Sequence, residues 1–413
     1  DSWYEGDTFG EVRPWSANPD NVKDFFQTGV TYSNNVALVG ATDASSFRLS
    51  YTNLDQTGTY ENASLGRNTI NFSGTSQLSE RLSASVSVNY VNTQTTGRPL
   101  TGYGESIMSQ FTQWFQRQVD MERLRDYKQP DGSQRTWNRN STTDGGPHYW
   151  DNPFWERYEN VQNDERNRVF GNFSVNYKLN DMWSVTGRAM TDFYNDTREE
   201  RVAVGGVRVP LYSQANREVR ETNLDLLLNF NKQLNEDLSL TGFVGGNQRL
   251  FGYSKLSGAT QGGLNTPGYY NLANSASEVL IDDYSERKKV NSVFGTASLG
   301  YKNTLYVDFT ARNDWSSTLP EENNSYFYPS VTGSYVFSEN LDIDWLSFGK
   351  VRVGWASVGN DSDPYKTTAA YVVNPNFGTS PNASVPNALF NADLKPELTK
   401  SIEFGAELNF FLN

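Results

Sequence analysis

No cysteine occurs in this chain of 413 residues, and there is a single histidine. Disulfides, thiolate metal sites and cysteine nucleophiles are thereby excluded. A lone His148 builds no His-based zinc centre unless carboxylates supply the other ligands. Its setting, GGPHYWDNPFW, reads as a loop in which the ring hydrogen-bonds locally. Neither a GxSxG elbow nor an HExxH helix is present. Carboxylates are numerous, but none stand at a spacing that marks a glycosidase-type pair. The oxygen-rich stretches GNDSDPY (359–365) and DID (342–344) carry ligands that could hold Ca²⁺, but neither matches an EF-hand loop, which needs a Glu at its twelfth position, and solvated turns are the favoured reading. No catalytic residue, metal ligand or cofactor is assigned, and an enzyme is not expected.

Long apolar runs are missing as well. Hydrophobic residues make up 36% of the chain and mean hydropathy is −0.65. Nothing approaches the ~18 uninterrupted apolar residues of a membrane helix, so a helical membrane protein is excluded. A transmembrane barrel is not excluded. It needs only alternating segments of ~10 residues and scores as hydrophilic when its lumen and loops are polar. The net charge of −13 argues against nucleic acid as a partner and fits acidic, solvated loops. No secretion signal opens the chain, which begins DSWYEGDTFGEV; a mature product or a fragment would begin so.

What the chain has in abundance is aromatics, 14% of residues, with 23 Tyr and 24 Phe. Many sit in alternating segments. RVFGNFSVNYKLNDMWSVTGRAMTDFY (168–194) sets Phe173, Val175, Tyr177, Trp183, Val185 and Phe193 against Asn172, Ser174, Asn176, Arg188 and Asp192. Side chains alternate across a strand, so this is an antiparallel pair joined at LND, with one apolar and one polar face. Thirteen such segments occur, near 29–39, 45–54, 67–76, 81–93, 167–179, 182–195, 219–232, 237–251, 288–301, 304–314, 328–338, 347–358 and 400–412.

The connections alternate short and long without exception. The short ones are GATDA, TSQLSE, LND, KQLNE, KN and SENLDIDW; the long ones are 55–66, 94–166, 196–218, 252–287, 315–327 and 359–399. A soluble sandwich scatters its loop lengths over both ends. An outer-membrane barrel has tight periplasmic turns and long extracellular loops, so its connections alternate by construction. No fixed repeat marks a propeller or solenoid. The expected fold is therefore all-β, a transmembrane antiparallel barrel whose apolar rows meet lipid. A barrel that closes antiparallel needs an even number of strands, and open edges in hydrocarbon leave backbone groups unpaired. Thirteen strands thus read as an internal piece of a larger barrel, with residues 1–413 forming part of one barrel domain.

Several stretches resemble one family in its own order along nearly the whole chain. They include SSFRLSYTNLDQTGTYENASLGRNTINFSG (45–74), SIMSQFTQWFQRQVDMERLRDY (106–127) and YWDNPFWERYENVQNDERNRVFGNFSVNYKL (149–179). ARNDWSSTLPEENNSYFYPSVTGSYVFSE (311–339), KVRVGWASVGNDSDPY (350–365) and NADLKPELTKSIEFGAELNFF (391–411) complete the set. The chain resembles the SusC/RagA group of TonB-linked outer-membrane transporters of the Bacteroidetes. That resemblance implies a plugged barrel of about twenty-two strands. It also implies an N-terminal domain, a TonB-interacting segment and a plug, none of which is visible in this sequence. As partners it implies a SusD-like surface lipoprotein, the TonB complex and outer-membrane lipid, with an oligosaccharide or peptide as cargo. A passive porin and a structural or receptor barrel within a larger envelope complex are the alternatives.

Candidate binding residues follow from the long connection 94–166. Its segment ESIMSQFTQWFQRQVDMERLRDY spaces Ile107, Phe111, Trp114 and Phe115 on one helical stripe, with Arg117, Asp120, Glu122 and Arg123 elsewhere. Trp114, Trp137, Tyr149, Trp150 and Trp155 stand among amides and carboxylates, a mixture that suits sugar rings or peptides. On the polar faces, Arg48, Arg188, Asp192, Arg312 and Arg352 are expected to face the lumen. A charge on the lipid side costs ~2–4 kcal/mol near the midplane.

Overall fold

A computed structural model describes residues 14–103, 106–341 and 345–411. Its framework is one antiparallel sheet of 13 strands, ordered as they occur in sequence. The strands are β1 (Val30–Ala41), β2 (Ser45–Thr57), β3 (Ser64–Gln77), β4 (Leu82–Thr96), β5 (Val161–Lys178), β6 (Trp183–Val202), β7 (Leu211–Gln233), β8 (Leu238–Ala259), β9 (Leu280–Tyr301), β10 (Leu305–Ser316), β11 (Ser325–Val336), β12 (Leu346–Asn360) and, last, β15 (Glu397–Phe410). Each expected segment is one of these strands. A separate hairpin, β13 (Val372–Phe377) with β14 (Ser380–Ser384), lies in the connection between β12 and β15. It was not expected from the sequence, because NPNFGTSPN breaks the pattern with prolines and glycine.

Register fixes the two faces. Directly opposed residues share a face, and one row runs Ser46, Thr75, Ser85, Ser174, Arg188, Asp225, Asn247, Ser292, Asp314 and Tyr326 from β2 to β11. On the opposite face runs Leu82, Tyr177, Val185, Leu228, Val244, Gly295, Ala311 and Pro329. A slip of one residue in any strand would interchange these rows locally. The polar rows are tied by cross-strand bonds such as Asn71 Nδ2 to Asn89 Oδ1 at 2.7 Å and Asn229 Nδ2 to Thr186 Oγ1 at 2.9 Å.

Tight turns occupy one end of the sheet, and their chemistry is local. Asn180 Oδ1 accepts from the amides of Met182 and Trp183, each at 2.9 Å, closing the LND turn. Ser79 and Asn235 do the same in the β3–β4 and β7–β8 turns. Lys302 and Asn303 take left-handed backbone, φ 51° and 57°, between β9 and β10.

At the other end, strands outrun the alternating pattern. β6 and β7 stay paired out to Val202 and Leu211, so that their connection is 203–210 where 196–218 was expected. Residues such as Glu199 and Gln214 are opposed there, although both faces are polar. The backbone ladder continues wherever two strands remain in register; the apolar row is needed only where one face meets hydrocarbon.

Candidate functional site

The connection from β4 to β5, residues 97–160, folds into a small body at this second end. It holds α2 (Ile107–Gln113), α3 (Met121–Leu124) and α4 (Pro153–Tyr158). The single stripe expected over 107–123 is thus two short helices. α2 stops at Trp114, and Asp120 caps α3 by accepting from the amides of Glu122 and Arg123. α4 starts on Asn152 with Pro153 in its first turn.

Ile107, Phe111, Val119, Met121, Leu124 and Phe154 form the core of this body, joined by Phe25 from the segment ahead of β1. Phe25 is fully buried, with its ring 5.1 Å from Phe111 and 5.2 Å from Phe154. α1 (Asn21–Asp24) brings it there, and Asn21 Nδ2 donates to the carbonyls of Gln116 and Val119 at 3.0 Å each. Nothing in the local sequence announced that partnership, because the two segments lie far apart in the chain.

Arg157 anchors the body to the sheet. It is 2% exposed and donates to the carbonyls of Glu61, Asn62 and Gly97, while Asn62 Nδ2 returns a bond to the Arg157 carbonyl at 2.8 Å. Burial lowers the pKa of its guanidinium below the ordinary arginine value. Gly97 is required at this junction: its φ is +62°, and a Cβ there would lie 1.7 Å from the Asn62 carbonyl oxygen.

A buried polar cluster ties the body to the β6–β7 connection. Gln134 Nε2 donates to Asp151 Oδ1 at 2.6 Å and to the Gly205 carbonyl at 2.9 Å. The Val207 amide donates to Asp151, and the Ala203 amide to Asn160 Oδ1 at 3.0 Å. Asn160 Nδ2 in turn donates to Glu156 Oε2 at 2.9 Å. Glu156 and Asp151 share a hydrogen bond, and burial, then the Asp151 charge, pushes the Glu156 carboxyl up to about 8. Burial raises Asp151 too. Arg208 is the cation that faces both.

The aromatic candidates divide. Trp150 and Trp155 are 7% and 1% exposed, so their rings serve the interior of the loop body and offer a ligand no surface. Trp137 is partly buried against Phe115 at 5.1 Å. Trp114 and Tyr149 stand out at 66% and 69% exposure. His148 lies with Nδ1 2.8 Å from Asn140 Oδ1, a loop contact of the expected kind. Asp361 of the oxygen-rich turn pairs with Lys288 and accepts from Ser316, and DID (342–344) falls outside the described residues.

All the charged candidates lie on the polar rows. Arg188 Nε donates to Asp225 Oδ2 at 2.8 Å, and Asp225 Oδ1 accepts from Asn247 Nδ2 at 2.6 Å. Arg168 Nε donates to Asp192 Oδ1 at 2.7 Å, with the guanidinium 4.7 Å from the Phe170 ring. Arg312 donates to Asp314 and Ser292 and lies over Phe294. Arg48 donates to Ser50 Oγ at 2.6 Å. Arg352, opposite Gly405, has no ion-pair partner among the described residues. Sequence reading missed Arg166, Arg198 and Asp196, where one 2%-exposed carboxylate holds two guanidiniums. The alternation in NDTRE carried that signal, but it lay beyond the apolar pattern.

An antiparallel sheet with one continuous apolar face, tight turns at one end and a folded loop body at the other defines a transmembrane β-barrel wall. Residues 114–413 match the family described as TonB dependent receptor-like, beta-barrel, and the chain belongs to that family. Its place is the outer membrane, and the sheet is part of a TonB-dependent barrel fold.

The TonB-dependent receptor P26 of Formosa agariphila is 25% identical over 400 residues, covering 92% of this chain and 38% of that protein. The TonB-dependent receptor P3 of the same organism is 26% identical over 420 residues, covering 96% and 40%. The chain therefore spans well under half the length of these curated relatives. The RagAB peptide transporter structure superposes with a TM-score of 0.78 at 18% identity, over 99% of this chain and 46% of that one. The ferripyoverdine receptor of Pseudomonas aeruginosa gives 0.54 at 12% identity, over 93% and 45%. At these identities the likeness is one of fold, and it agrees with the SusC/RagA resemblance carried by the motifs.

Proposed function

We propose that this chain forms the wall and the extracellular vestibule of an energised importer of oligosaccharides or peptides. The observation that carries the reading is the pairing of a family barrel sheet with a body folded onto its loop end. The polar rows, with Arg48, Arg188, Asp192, Arg312 and Arg352, line the lumen and meet the plug that the family resemblance implies. The ion pairs along them hold the charges there at low cost, since a paired charge in a wetted lumen keeps most of its solvation. Trp114 and Tyr149 present ring faces above the lumen. A SusD-like lipoprotein closes over that vestibule, and the TonB complex displaces the plug using the inner-membrane proton gradient. The wall performs no covalent chemistry.

Uptake tests this directly. Cells carrying the complete protein should take up its cargo only while the proton gradient and TonB are intact, and a surface lipoprotein should copurify with it. Uptake that continues after TonB is removed would make the protein a passive pore. A stable complex with no growth defect on any polymer after deletion would make it a structural barrel.

A further inference from the structure

The polar face carries a cavity that none of the candidate residues touches. It lies near the loop end of β5 to β9 and has a volume of about 410 Å³. Its floor is made of small residues in facing register: Ala215 opposes Ser257, and Ser213 opposes Ala259. Charged side chains wall it, and no aromatic residue lines it.

Charge bookkeeping around this cavity leaves a remainder. Arg98 pairs with Asp164, Lys255 with Asp282, Glu199 with Arg201 and Glu200 with Arg208. Arg198 shares Asp196 with Arg166, so one carboxylate serves two guanidiniums. Arg217 stands directly opposite both Asp196 and Lys255 in the ladder. It has no ion pair among the described residues, and its Nε is buried without a hydrogen-bond partner. Asp196 makes no bond to it and already shares its single charge between two guanidiniums, and Lys255 repels it. A guanidinium carries a rigid planar fork of donors matched to a carboxylate.

We propose that this cavity seats a carboxylate of the transported ligand, with Arg217 as the bidentate anchor and Ser213 and Ser257 at the floor. The inference rests on the importer reading and deepens it: the cargo is an oligomer that bears a free carboxylate. The carboxylate comes either from a peptide terminus or acidic side chain, or from an acidic sugar. The lack of aromatic lining agrees, because a neutral sugar ring has no apolar face to stack on here.

The test uses the complete protein with its copurified partner and matched probes. These are N-acetyl-trialanine against N-acetyl-trialanine amide, and trigalacturonate against its trimethyl ester. Binding of at least one free acid should exceed that of its neutral twin, and which pair responds names the source. R217Q should weaken the free acid by roughly tenfold to a hundredfold, the range of a charge-assisted bond, and leave the neutral twin unchanged. R217K should retain part of the affinity, since it keeps the charge and loses the fork. Removing Arg217 breaks no ion pair, so folding should survive.

Acids and neutral twins that bind alike, no binding by any probe, or an R217Q protein that binds as the original does would each overturn the seat. The importer reading fails separately: uptake independent of TonB sinks it, whatever the binding assay reports.

Discussion

Single residues in this protein are sorted by which row they occupy. Val175 sits on an apolar row and Ser174, its neighbour, on the polar row opposite Arg188. Arginine at 175 would bring a charge to hydrocarbon at a cost of ~2–4 kcal/mol near the midplane; at 174 it would meet a wetted, charge-rich surface. Val175→Arg should therefore reduce folded protein recovered from outer membranes, with Ser174→Arg close to the original. Equal recovery of the two would reverse the faces. A second residue-scale expectation concerns Glu156, whose buried carboxyl is raised from 4.5 to about 8. A raised carboxyl binds a proton more tightly in the folded loop than in the open one. Its stabilisation is full below about pH 4.5 and is lost as pH climbs through about 8. Hydrogen-exchange protection of the 134–160 region, corrected for the intrinsic exchange rate, should fall between about pH 4.5 and pH 8, and Glu156→Gln should flatten that dependence. An unchanged pH profile in the variant would remove Glu156 from the account.

At the scale of elements, the strands were legible because a membrane face imposes a period of two, and Tyr177, Val185 and Leu228 keep it without a gap. The turns were legible because Asn180 and Ser79 cap their own backbone within three residues. The strand ends were not. Around Asn195–Val202 and Leu211–Glu218 both faces meet water, so the ladder persists while its pattern disappears from the sequence. The loop body was only half legible. Asp120 and Asn152 mark helix starts by capping. By contrast, the insertion of Phe25 depends on contacts across more than eighty residues, and the burial of Trp155 in preference to Trp114 on Tyr127 and Gly205, 28 and 50 residues away. Arg157 shows the consequence. Its donor fork satisfies three carbonyls from two connections, and Arg157→Ala would leave the Gly97 carbonyl buried and unpaired, at ~1–3 kcal/mol, with the Glu61 and Asn62 carbonyls left to water. The body should detach from the sheet, read as protease cleavage within 97–160 while the strands stay resistant. Continued resistance throughout would mean that the Phe25 core and the Gln134–Asp151–Asn160 cluster secure it without Arg157.

The whole molecule is described by its relation to the bilayer. β1 and β15 are the two ends of the sheet and do not pair with each other, while lipid demands that each has a partner. The chain expressed alone should therefore fail to insert as a monomer, aggregating through those edges or assembling with further strands. Heat-modifiable migration on a gel, the mark of a closed barrel, should appear for the complete protein and be absent for residues 1–413 alone.

The overrun of the strands sets a height. β7 has 23 residues, a rise of about 60 Å once a ~40° tilt is allowed for, against an apolar band of ~25 Å. Much of the wall is thus a palisade standing in water above the membrane. A molecule that touches its inside has left three-dimensional diffusion before it reaches the level of the lipid. On the importer reading proposed above, it would descend a charged shaft, and the search for the passage below would become a walk along a line.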